Sequence, residues 1–575
     1  MKAHLGTRML LALVAGAALA VLGGTSPSPA YAATFTVNSN NDVDDGTCNV
    51  AHCSLREAIN ASNASTGVKD TINFSIGTGK KTIKPAVSPL PTIMDPVIID
   101  GTTQSCSPDS TPCIELDGTN AGAGADGLKI TGGNSTVRGL VINRFSGYGI
   151  HLVTAGNNVI EGNYIGTDVA GAVALGNGTG VCIDGAPNNT VGGTAAGARN
   201  VISGTNGYGI LISLDTASGN QVLGNYIGTN AAGSAALGNL WDGVEIIYAP
   251  NNTIGGTAAE ARNVISGNKQ GVSIYNATGN QMQGNYIGTD ASGSAALPNT
   301  VCGVYLANNT DGNTIGGTAA GARNVISGNF SSAVVIANQA NGNQVLGNYI
   351  GTNASGSAAL GNVQGVSIQG HDNTIGGTAA GAGNTVAYND TYGVVVVTVE
   401  EPPTGNAIRG NSIHSNGYGG IWLGSGGNGE IPAPIIDSVG GSATGHTSPK
   451  CYPCTVEVFS DSDGQGRIFH GSTATNNDAT GTWTYPGAVT GPKITATVTD
   501  SSNNTSEFSA PYSLPAVGGI AELPVLAGAS DQQAGAPADG SGWSAGGYAA
   551  LACGLAAAAF AIAVGGWYAR RRWLR

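Results

Sequence analysis

Charge is what this chain has least of. Asp, Glu, Lys and Arg make up 10% of its 575 residues, and 22 basic side chains face 35 acidic ones. A protein that grips a phosphate backbone needs a stripe of Lys and Arg, so this balance argues against nucleic acid as a partner. Helix-rich folds are excluded by the 93 glycines, since each costs a helix interior about 1 kcal/mol relative to alanine. Zinc-ribbon chemistry is excluded at Cys451-Tyr452-Pro453-Cys454, which has no second Cys/His pair nearby. The scarcity of charge does not imply disorder, because valine and isoleucine recur at fixed positions and supply a stackable core.

That recurrence has a period. A glycine-led phrase, Gly-(Val/Ile)-x-(Ile/Leu/Val), starts at Gly149, Gly180, Gly209, Gly243, Gly271, Gly303, Ala333, Gly365, Gly393 and Gly420, in steps of 27 to 34 residues. Such a period is the mark of a solenoid. Longer and shorter steps alternate, which betrays a double repeat. Asn163-Tyr164-Ile165-Gly166-Thr167 returns from Asn225, Asn285 and Asn348, while Arg199-Asn200-Val201-Ile202-Ser203-Gly204 recurs from Arg262 and Arg323. Two coils therefore form one duplicated unit of about 62 residues.

The apolar positions are β-branched, the segments run four to six residues, and Gly, Asn or Thr bounds each one. These are short strands joined by turns. Stacked in parallel at about 4.8 Å per coil, ten coils make a rod of roughly 48 Å, and less regular coils precede it. The recurring asparagines (Asn163, Asn225, Asn285, Asn348 and Asn200, Asn263, Asn324, Asn384) suggest amide ladders. Each set recurs only in alternate coils, so direct stacking requires an additional partner.

The ends point outside the cell. Lys2, Arg8, an apolar run from Met9 and an Ala30-Tyr31-Ala32 cleavage site predict a signal peptide over 1–32. An apolar stretch within 545–569, followed by arginines in a basic tail 570–575, predicts a membrane anchor with the tail in the cytoplasm. Leu523-Pro524-Val525-Leu526-Ala527 resembles a Gram-positive sorting signal, with Leu526 and Ala527 departing from its usual Thr and Gly. In an oxidising compartment, Cys48 with Cys53, Cys106 with Cys113, and Cys451 with Cys454 are expected to form disulfides, while Cys182 and Cys302 are too far apart to bridge.

Residues 33–70 read as an end cap. Ser54 and Glu57 form an S-x-x-E capping box, and Leu55, Ala58 and Ile59 line one face of a short helix. Cys53-Ser54-Leu55-Arg56-Glu57-Ala58 resembles the segment that names the CSLREA family of exported bacterial proteins. The resemblance implies an all-β, right-handed parallel β-helix over 71–430, of the pectate-lyase-like superfamily, and carries no agreed catalytic residues. That superfamily holds enzymes and non-enzymatic surface proteins alike. Residues 431–514 alternate at period two and resemble a bacterial immunoglobulin-like β-sandwich, and 515–544 is a Gly/Ala/Pro/Ser-rich tether.

With the apolar pair of each phrase inward, the outward residues are His151, Cys182, Leu211, Glu245, Ser273, Tyr305, Val335, Ser367, Val395 and Trp422. Only one is a carboxylate, so the paired acids of glycoside hydrolysis do not line up there. The remaining weak candidates are Asp184, Asp215 and Glu245 on consecutive coils, with His151 one coil earlier, a group suited to calcium or to an acidic sugar. Asp461-Ser462-Asp463-Gly464 lacks the glutamate of an EF-hand and reads as a hairpin turn. Arg199, Arg262 and Arg323 repeat with the coils and are expected to hold loops. Asp168 and Asp290 share their turn position with Asn230 and Asn353, which excludes a role requiring charge. Two functions stay open: a membrane-anchored, non-enzymatic surface rod for adhesion or glycan binding, and a surface-tethered polysaccharide lyase or glycoside hydrolase.

Overall fold

Each coil of the repeat gives one short strand to each of three parallel sheets, of 13, 12 and 11 strands. The structure is a computed structural model that describes residues 31–514 apart from 87, 107–111, 448–450 and 477–479. The predicted signal peptide before residue 31, the tether, the anchor and the basic tail lie outside the described residues. Among the described residues no helix is long and apolar enough to cross a membrane.

The first sheet runs from Thr34–Val37 and Asp70–Phe74 to Ala407–Arg409, the second from Lys81–Ile83 to Ser412–His414, and the third from Leu128–Ile130 to Gly419–Gly424. In the third sheet the glycine-led phrases pair in register. Lys129, His151, Cys182, Leu211, Glu245, Ser273, Tyr305, Val335, Ser367, Val395 and Trp422 form a single column, as the outward reading of the phrases requires. Their flanking partners, such as Ile150 and Leu152 or Val272 and Ile274, are fully buried in one continuous core. Parallel strands at a fixed step put the same side chain over itself in every coil, so one Val/Ile pattern fills the whole interior.

The two phrases of the double unit occupy the same place in alternate coils. Tyr164 and Ile165 pair with Val201 and Ile202, which pair in turn with Tyr226 and Ile227. Each set of asparagines is therefore the partner that the other set needed. Asn163, Asn200, Asn225, Asn263, Asn285, Asn324, Asn348, Asn384 and Asn411 form one unbroken buried ladder. A second ladder runs from Asn158 to Asn428, and a third from Asn239 to Asn416. In most rungs the amide oxygen of one Asn accepts from the backbone N–H of the Asn one coil before, at 2.9 Å between Asn225 and Asn263, while Asn285 and Asn329 accept from the side-chain NH2 of Asn263 and Asn299. The side-chain NH2 then donates to a buried carbonyl, that of Val191 for Asn225. At the corners, where the chain leaves sheet geometry, these amides replace the lost ladder bonds.

Outside the corners the repeats are held as the sequence implies. Arg199, Arg262 and Arg323 donate from Nε to the carbonyls of Gly224, Gly284 and Gly347. They also lie over the rings of Tyr226, Tyr286 and Tyr349 at 4.1 to 4.2 Å. Asp168, Asn230, Asp290 and Asn353 each accept from backbone N–H groups four and five residues on, so charge is irrelevant there.

Both ends are covered. The helix Leu55–Ala64 has its complete capping box from Ser54 and Glu57, and Leu55, Ala58 and Ile59 belong to the main core. At the other end, a three-stranded and a four-stranded antiparallel sheet close on a second core around Trp483, Val456, Val458 and Ile494. This module docks on the last coil: buried Glu457 pairs with Arg409 at 3.0 Å, and Gln465 accepts from the backbone N–H of Asn416. Cys48–Cys53, Cys106–Cys113 and Cys451–Cys454 are bonded.

Replacing Asn263 by Ala orphans the Asn225 N–H and the Val222 carbonyl, both buried. At about 1–3 kcal/mol for each such group, the variant is expected to unfold at clearly lower urea than the parent. Gln281→Ala, at an exposed strand position of a neighbouring coil, is expected to stay within about 0.5 kcal/mol. Equal midpoints for the two variants would refute the ladder's energetic role.

Candidate functional site

The outward column of the third sheet gathers the chemistry-bearing side chains, but at separate places along the rod. Near its start, His151 Nδ1 lies 3.0 Å from Asp126 Oδ2, and His151 Nε2 lies 4.0 Å from Asp184 Oδ2. The Tyr148 ring sits against the imidazole with centroids 4.5 Å apart. Asp126 is positioned by the Tyr148 N–H, which donates to its Oδ1 at 2.9 Å, and Asp184 accepts from Ser213 Oγ at 3.3 Å.

Of the three acids singled out in the sequence, only Asp184 belongs to this cluster. Asp215 is exposed in the turn after Ile210–Ser213, where Leu214 takes φ 79° and swings the chain out of the sheet. Glu245 occupies the same column as His151 but three coils on, with Cys182 and Leu211 between them. The three acids therefore do not converge on one point.

Glu245 has its own neighbours. Burial, followed by the charge of Asp242, pushes its carboxyl well above the usual range. Asp242 is raised to about 6 by burial, opposed by a hydrogen bond from Ser273 and by the Lys269 charge. Tyr208 beside them is raised as well, by burial and then by the two acids. One oxygen of Glu245 is buried without a hydrogen-bond partner. The two acids interact, so their protons come off as those of a pair.

Two of these residues escaped the sequence reading. Asp242 is three places before Glu245, where strict strand alternation puts it on the opposite face; the corner preceding Val244–Ile247 turns it back. Asp126 sits in a loop before a strand, outside any repeat. The Asp-Gly-Val-Glu spelling of 242–245 was the one available signal.

Further along, the column ends in aromatic rings. Tyr392 and Trp422 stack with centroids 5.3 Å apart and planes 14° from parallel, and Tyr418 meets Tyr392 edge-on at 5.7 Å. Trp422 is 37% and Tyr418 62% exposed. Large, partly exposed rings clustered at the end of a sheet are an apolar patch that a semi-apolar ligand could contact. The Asp461 turn, by contrast, spends its carboxylate on the backbone N–H groups of Gly464, Gln465, Gly466 and Arg467, which is the work of a turn.

The raised Asp242 generates a pH prediction. Its folded value of about 6 exceeds the unfolded value of about 3.9, so the folded state binds the proton more tightly. The stability it contributes is present below about pH 4 and is lost as pH rises through 6. Asp242→Asn is expected to flatten that fall, read as urea midpoints at about pH 4.5 and 7.5. A variant with the parent's pH profile would remove Asp242 from this role.

No protein-family model matches the chain, and no curated protein does. Among solved structures, the Dettilon tailspike protein is 15% identical with a TM-score of 0.41, covering 83% of this chain and 94% of its own. The A-module of the mannuronan C-5 epimerase AlgE4 of Azotobacter vinelandii is 16% identical with a TM-score of 0.34, covering 68% and 97%. PfbA, a surface adhesin of Streptococcus pneumoniae, is 12% identical with a TM-score of 0.33, covering 77% and 99%.

Proposed function

We propose that this protein is a surface-displayed rod that binds glycans without turning them over. Export by segment 1–32, retention by the apolar stretch 545–569, and a right-handed coil of the CSLREA kind complete the reading, with 431–514 as an immunoglobulin-like lid. The observation that carries it is the aromatic cluster of Tyr392, Tyr418 and Trp422, of which Tyr418 and Trp422 are exposed, at the end of the third sheet. Sugar rings present apolar C–H faces that stack on such rings, and a rigid sheet offers them without ordering cost. The acidic balance of the chain favours neutral over acidic glycans.

A second reading, a polysaccharide lyase or glycoside hydrolase, draws on the perturbed Asp242–Glu245 pair alone. A glycan array probed with the detergent-solubilised full chain separates the two. Binding is expected, and Trp422→Ala is expected to weaken it by about tenfold or more, as loss of a central aromatic anchor does. No new reducing or unsaturated ends are expected from the bound glycans. Chain cleavage that disappears in Glu245→Gln would establish the enzyme reading instead.

A further inference from the structure

We propose that Asp45, His52 and Glu57, in the N-terminal cap, bind one divalent metal ion of the zinc type. These residues offer one ligand atom each, all within 4.8 Å of one another. His52 Nδ1 stands 3.3 Å from Asp45 Oδ2 and 3.1 Å from Glu57 Oε2. Zinc bonds of about 2.0–2.1 Å at a tetrahedral angle put neighbouring ligand atoms about 3.3 Å apart, so both separations are those of ligands on a common ion.

The orientation of the His52 ring is set from its far side. Its Nε2 lies 3.0 Å from Asn41 Oδ1, and that oxygen also accepts from the Val43 N–H at 3.2 Å, which identifies it as the carbonyl end of the amide. Nε2 therefore donates to that oxygen, which leaves Nδ1 as the ring's coordinating nitrogen, 3.1 to 3.3 Å from the two carboxylate oxygens. A histidine whose other nitrogen donates to a carbonyl is also how proteins orient a metal ligand.

The remaining lone pairs are occupied in a way that leaves the ion's side open. Asp45 Oδ1 accepts from the Thr47 N–H, while Glu57 Oε1 accepts from the Asp45 N–H at 2.7 Å. Glu57 Oε2 takes the Ser54 N–H of the capping box at 2.8 Å and keeps a second lone pair. The Cys48–Cys53 disulfide closes the loop that brings His52 to the helix. Asp45, with its side chain 47% exposed, is the entry side, and water completes the fourth position. The ion would pin the loop 42–53 to the helix that covers the first coil.

The test is calorimetric titration of zinc into the full chain after stripping with EDTA. One equivalent is expected to bind in the micromolar range or tighter, with magnesium unable to compete. His52→Ala and Asp45→Asn leave the capping box intact and are expected to abolish that equivalent, while Asn41→Ala weakens it by about 10- to 100-fold. X-ray absorption should report nitrogen and oxygen ligands without sulfur. Absence of saturable binding in a chain whose circular dichroism is that of the folded protein overturns the proposal. So does unchanged affinity in His52→Ala.

Discussion

Every coil of this rod turns corners, and at a corner the backbone groups that a sheet would pair are left facing inward. The structure depends on how they are satisfied. A buried amide side chain, with one acceptor and two donors, reaches the backbone of the coil before it and donates to the amide oxygen of the coil after, and stacking it once per coil makes the corner self-templating. Aspartate would stack charge on charge at the same spacing, and alanine would leave the groups bare. Asparagine therefore imposes a single coil height, and that height brings valine and isoleucine into register in the core.

Much of the fold was legible because translation along one axis makes register a counting problem. The glycine-led phrases give the outward column residue by residue, from His151 to Trp422. The capping box at Ser54 and Glu57 announced the first end. The asparagine arithmetic resisted for a physical reason: Asn163 and Asn200 sit in phrases of different spelling, yet those phrases are the same corner in successive coils. Spelling separates what geometry superimposes.

The candidate sites were less legible, since they lie where periodicity stops. Asp242 reaches Glu245 only because a corner reverses the alternation of the strand, and Asp126 reaches His151 from a loop without repeat. The Asn41, Asp45, His52 and Glu57 constellation is assembled by a disulfide-closed loop folding back on a helix, with a spacing that belongs to no pattern. Repeats build the scaffold, and departures from them carry the chemistry.

The terminal module closes the third ladder. Gln465 presents its amide oxygen to Asn416 in the place where the next asparagine of the third ladder would have stood. It is a counterfeit rung: chemically close enough to complete the stack, yet carried by a chain that runs off in another direction. A solenoid ending in a true rung would offer the next molecule a landing place and grow into fibres. With the counterfeit in position, the third ladder ends on the module that covers the last coil rather than on an open rung.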